Sequence, residues 1–110
     1  YMACVAFVDD QVGKILDSIE SSPFSENTIV FLTSDHGFHM GEKNFLYKGS
    51  LWEPSTRVPL IIAGVPGSPK GKTSNQPVSL VDIYPTFNEL FSLDSKPNSE
   101  TNKYDLEHLF

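Results

Sequence analysis

Cysteine is nearly absent: Cys4 stands alone among 110 residues. That excludes an internal disulfide and a zinc site built from several thiolates. Positive charge is scarce too. Eight Lys and Arg face fourteen Asp and Glu, a net charge of −6 with His neutral. No Lys/Arg cluster occurs, so no nucleic-acid partner is expected, because phosphate neutralisation needs clustered cations. The longest apolar run, near residues 58–63, is far too short to span a bilayer. A signal-peptide pattern and an Asn-x-Ser/Thr sequon are also missing, so the compartment is not legible. The first residue, Tyr1, already lies inside an amphipathic pattern, which reads as a fragment or an excised piece. What remains is 39% apolar and 20% charged, enough for the core of one small domain and too apolar for wholesale disorder.

Val5, Val8, Val12, Ile15 and Ile19 recur at steps of three and four, which predicts a helix over 2–20. Ser21-Ser22-Pro23 stops it. Asp9 and Asp10 fall on the solvated face. Residues 28–33 and 58–63 are β-branched and almost continuously apolar, the pattern of strands buried on both faces. Residues 64–77 hold Gly64, Pro66, Gly67, Pro69, Gly71 and Pro77 and read as a loop. Helical spacing returns over 79–92, with Pro85 required in the first turn and Asp82 as N-cap; a Ser79–Asp82 capping box would instead force a kink. Helix, strand, long loop, strand, loop, helix is an α/β order. The two strands are expected to be a slice of a larger sheet, since alone they leave its edges bare.

The stretch from Thr33 to Lys43 carries the densest chemistry. Asp35, His36, His39 and Glu42 place four ligating or proton-transferring groups in eight residues, directly after a buried strand. In open α/β sheets ligands gather outside the carboxyl ends of strands. Gly37 and Gly41 let the backbone turn so that these side chains converge. An adjacent carboxylate and imidazole suit a metal. The plainer reading is a polar connection capped by Asp and Gly.

Lys48 follows among Tyr47, Leu51 and Trp52. It either points an ammonium at an anionic substrate or lies over aromatic rings with its charge in water. Arg57, the sole Arg, suits a structural ion pair with Glu53 or Glu42. Cys4 reads as a small buried hydrophobe without groups to activate it. His108 carries no signal.

Four segments in order then resemble the sulfatase family of the alkaline-phosphatase-like superfamily, most closely its iduronate-2-sulfatase and choline-sulfatase-like branch. They are residues 7–16 (Phe7-Val8-Asp9-Asp10-Gln11 onward), Asn27 to Gly37, then Met40-Gly41-Glu42 with Lys48 and Ser55 to Ile62, and Val78 to Thr86. The resemblance implies a partial alkaline-phosphatase-like sandwich, mainly a parallel sheet flanked by helices and incomplete in this chain. It implies that residues 1–93 are part of a catalytic domain, with a metal loop at 33–43 and a substrate-side segment at 44–57. Residues 94–110 are then a linker or the start of the next element.

The resemblance also implies roles. Asp35 and His36 correspond to ligands of a divalent metal, calcium first, with zinc or manganese open because His36 offers nitrogen. Lys48 corresponds to the lysine that contacts the sulfate and the leaving-group oxygen. Phe38 and His39 fall where the loop lines the substrate pocket, and His39 is a candidate proton donor. Arg57 and Asp82 match architectural positions. The implied substrate is a sulfated small molecule or glycan. The family's formylglycine arises from Cys-x-Pro-x-Arg; Cys4-Val5-Ala6 departs from that motif, and the paired aspartates of the first strand are absent. A nucleophile is therefore expected upstream, with the rest of the catalytic domain as partner and an inactive isolated chain. By resemblance the location is periplasmic, secreted or lysosomal. Two rivals stay open: a phosphodiesterase or phosphonate hydrolase of the same superfamily, and a non-catalytic metal- or carbohydrate-binding module.

Overall fold

The computed structural model describes residues 1–93. The reading of 94–110 as a linker or next element lies outside the described residues.

Helix α1 spans Met2–Glu20, the range the apolar spacing predicts. An Asp10–Lys14 pair at 2.6 Å braces its outer face, worth well under about 1 kcal/mol at this exposure. It ends where Ser21 and Ser22 turn their N–H groups back to Asp17 and Ile19 carbonyls, and Pro23 has no N–H to continue. None of its residues is buried. Cys4 is exposed rather than the small buried hydrophobe expected, because nothing among the described residues covers that face.

Strand β1 is Val30–Thr33, and strand β4 is Leu60–Ala63. They pair antiparallel, with Val30 opposite Ala63 and Thr33 opposite Leu60. The expectation of a mainly parallel sheet is not met among the described residues. A parallel return needs a crossover long enough to carry the chain back, usually a full helix. The one α-helix between these strands is the four-residue α2, Glu53–Thr56, too short for such a crossover. The two strands are half-buried rather than covered on both faces, and Ile61 stays 57% exposed. The core that exists sits under β1, where Phe31 meets Phe87 edge to face at 4.9 Å.

Phe87 belongs to α3, Ile83–Leu90, entered through a 3-10 turn at Leu80–Asp82. Pro85 falls in the first turn, as its missing N–H demands. Asp82 stands at the N-cap position, but its side chain makes no capping bond. Thr86 Oγ1 donates to the Asp82 carbonyl instead, at 2.6 Å.

The long loop after β1 contains a hairpin. Strand β2, His39–Met40, pairs antiparallel with β3, Leu46–Tyr47. Gly41 makes the reversal at φ +118°, a region side chains avoid. No helix among the described residues is long and apolar enough to cross a membrane.

Candidate active site

The site begins where β1 ends. The chain turns after Thr33, and Ser34 Oγ donates to the His36 carbonyl at 2.8 Å. Gly37 then presses flat on α2. Its N–H donates to the Ser55 carbonyl at 2.8 Å, and a Cβ there would collide with the Pro54 carbonyl. Only glycine permits this approach, so the glycine after Asp35-His36 is a packing requirement.

That contact orients His36. Its Nδ1 lies 2.7 Å from the Gly37 carbonyl. A carbonyl can only accept, so Nδ1 carries the proton and Nε2 keeps its lone pair. Lys48 Nζ donates to that lone pair across 2.8 Å. Asp35 Oδ2 lies 3.5 Å from the same nitrogen. Asp35 is 83% exposed and His36 one-third exposed at the side chain. The fold thus brings three of the sequence-predicted residues together at an open surface: Asp35, His36 and Lys48.

A divalent cation fits this donor set in part. A carboxylate oxygen and an imidazole lone pair 3.5 Å apart can share one ion. Nε2 has one lone pair, so accepting from Lys48 and ligating a cation are alternative uses of one atom. No group of three or more ligating side chains exists among the described residues, so these two side chains alone do not make a complete cation site.

His39 stands apart from this trio. Its side chain is fully buried among the described residues, whereas the resemblance implies a place in a substrate-pocket wall or as proton donor. Nδ1 lies 3.3 Å from the Glu42 carbonyl, Nε2 lies 2.8 Å from Ser50 Oγ, and the ring meets Phe45 edge to face at 5.2 Å. The reason is the hairpin: the turn at Gly41 folds residues 42–45 over the ring. Ser50 Oγ is a junction. It also bonds Ser55 Oγ at 3.0 Å and accepts the Trp52 N–H at 3.2 Å. Spacing in sequence gives little sign of Ser50 or Ser55; the one available signal is a hydroxyl two residues after Lys48.

Phe38 is on the surface, stacked with Tyr1 at 5.9 Å and edge to face with Tyr47 at 6.1 Å. Lys43 sits 4.9 Å over the Trp52 ring. Arg57 pairs with Glu53 at 2.9 Å, both exposed. Glu42 Oε2 accepts the Met40 N–H at 2.7 Å. That bond, then the one from its own backbone N–H, holds the Glu42 carboxyl below the usual 4.5.

The family model described as Sulfatase matches residues 1–93. A sulfatase of Formosa agariphila is 47% identical over 100 residues, covering 91% of this chain and 20% of that protein. A choline-sulfatase of Rhizobium meliloti is 36% identical over 90 residues, covering 82% of the chain and 17% of that protein. An N-acetylglucosamine-6-O-sulfatase of Bacteroides thetaiotaomicron is 38% identical over 87 residues, 79% of the chain and 16% of that protein. No solved structure matches the chain. The chain spans about a fifth of the length of these relatives. With its Asp35-His36-Gly37 turn set against Lys48 and a family match across every described residue, the chain belongs to the sulfatase family.

Proposed function

We propose that the protein carrying this chain hydrolyses sulfate esters of sugars or small alcohols, with a formylglycine nucleophile supplied by residues outside this chain. The observation that carries the reading is the 2.8 Å contact that brings Lys48 to His36, beside Asp35, from positions twelve residues apart. The names of the relatives favour sulfate esters over phosphoryl transfer and over a binding module, and the sugar sulfatase among them favours a glycan. Residues 1–93 are then part of a catalytic domain of alkaline-phosphatase-like α/β architecture, completed by the rest of the protein.

In this reading each residue has one task. The Lys48 ammonium faces the sulfate and offsets charge that grows on it and on the leaving oxygen. Asp35 and His36 would hold a divalent cation, calcium first, with manganese or zinc better suited to the imidazole. When bound, that ion adds positive charge against the sulfate oxygens. Phe38, exposed just before β2, is an aromatic surface available to a substrate.

The test is an aryl sulfate assay on the full-length protein with calcium. Lys48→Ala is expected to lower kcat/KM about 10²–10³-fold. Asp35→Asn is expected to weaken calcium binding measured by calorimetry. Full activity in Lys48→Ala overturns the role of the lysine.

A further inference from the structure

The most completely buried side chain near the site belongs to a residue that touches no open surface. His39 is fully enclosed, yet it is polar at both ends of its ring. A buried imidazole is retained only if its nitrogens are satisfied. One nitrogen is answered by the Glu42 carbonyl and the other by Ser50 Oγ. Ser50 is in turn tied to Ser55 and to the Trp52 N–H. Ser55 is itself buried, and its carbonyl takes the Gly37 N–H. The two segments that must meet, the Asp35-His36-Gly37 turn and the Lys48 strand end, are therefore stitched together behind the site.

Lys48 sits between two constraints. On one side Tyr47 holds φ +79°, a left-handed conformation that a non-glycine residue keeps only when its surroundings hold it there. On the other, Ser50 N–H donates to the Lys48 carbonyl at 2.8 Å while its hydroxyl is anchored on His39. The backbone of Lys48 cannot relax from its bent path without breaking the Ser50 anchor.

We propose that His39, acting through Ser50, is a positioning residue that fixes the backbone of Lys48 so that its ammonium stays beside His36 and Asp35. The proposal rests on the reading of Lys48 as the sulfate-facing lysine, and it gives the buried histidine a task that surface contact does not supply. Losing the anchor lets Tyr47 leave its left-handed conformation, and the ammonium moves away from the site beside His36 and Asp35. A displacement near 1 Å is worth about 10²-fold in rate when the group must be pre-placed.

The experiment is a double-mutant cycle on the full-length protein, with an aryl sulfate as probe. Ser50→Ala alone is expected to lower kcat at least tenfold. In a Lys48→Ala background the same change is expected to cost less than twofold, since nothing remains to position. Equal losses in the two backgrounds overturn the proposal, because general loosening acts whether or not Lys48 is present. His39→Gln keeps a polar atom near Ser50 and is expected to lose less kcat than His39→Leu, which keeps the bulk; equal losses count against the proposal. If Lys48→Ala proves fully active, the sulfate role of Lys48 falls. The His36 Nε2 nitrogen-15 shift in metal-free, histidine-labelled protein then decides alone: it moves in Ser50→Ala if the anchor sets the Lys48–His36 bond, and an unmoved shift overturns the proposal. The same shift serves if Ser50→Ala does not fold, read in His39→Gln against wild type.

Discussion

Two glycines separate what backbone contact demands from what helix propensity allows. Gly37 lies so close to α2 that a Cβ meets the Pro54 and Arg57 carbonyls. Carbonyl groups of a short, hydrogen-bonded turn cannot rotate away as a side chain can. Gly37→Ala therefore has to part the loop from α2 and break the bond to the Ser55 carbonyl, at a cost of about 3 kcal/mol. Gly13, in the middle of α1, has open space where its Cβ would be. Gly13→Ala is expected to stabilise by about 0.5–1 kcal/mol through reduced backbone entropy. Urea unfolding of the two variants should move the midpoint in opposite directions. A neutral Gly37→Ala would mean that the contact with α2 is not maintained in solution. The same residue shows how legible the site was. Asp35, His36 and Gly37 stand out by type and density after a strand. Lys48 was ambiguous between a surface lysine and a sulfate contact, and distance, not spacing, brings it to His36.

At the level of elements, local pattern and non-local pairing divide what the sequence tells. Helix α1 and the position of Pro85 in α3 follow from spacing and from a missing N–H, both local facts. Strand direction depends on which partner the chain finds, and the apolar run of β4 reads the same in either sense. The hairpin of β2 and β3 lies hidden in a segment that reads as loop, although Gly41 and Asn44 between Met40 and Phe45-Leu46 are turn residues between apolar ones. That hairpin is what encloses His39 in the structure. The hairpin also carries a pH dependence. Hydrogen bonds from the Met40 N–H and its own N–H favour the charged Glu42 carboxylate, lowering its folded pKa below 4.5. A depressed folded value means stability that is fully present above the unfolded value and lost as pH falls through the folded one. The turn is thus expected to loosen only below pH 4.5. A carbon-13 titration of the Glu42 carboxyl should show a midpoint below 4.5, and Glu42→Gln should flatten the acid dependence of amide exchange over residues 39–47. A midpoint at or above 4.5 contradicts the bond to Met40.

At the scale of the molecule, the deeply buried side chains among the described residues are few and polar: His39 and Thr86 are the largest fully enclosed ones. The apolar stripe of α1 is not among them. Val5, Val8 and Ile15 are 45%, 56% and 60% exposed, and Ile61 on β4 faces outward beside its half-buried neighbours. A helix written with a continuous stripe and strands written for two-sided cover have apolar faces that the described residues do not bury. Apolar surface left in water forgoes about 25 cal/mol for each Å² that could be covered, and contiguous patches of this kind drive association. The 110-residue chain alone is therefore expected to bind a hydrophobic dye and to self-associate with rising concentration. Replacing Val5, Val8 and Ile15 together with Glu should cut dye fluorescence by about half or more and lower the apparent mass in sedimentation, while far-ultraviolet circular dichroism keeps the helix signal. These three positions lie on one helix face at steps of three and seven, so they act as one patch. Unchanged fluorescence in the triple variant would place the sticky surface elsewhere, on Leu51 and Trp52 beside the site or on the open face of β4, and would mean that the α1 stripe is covered within the chain itself.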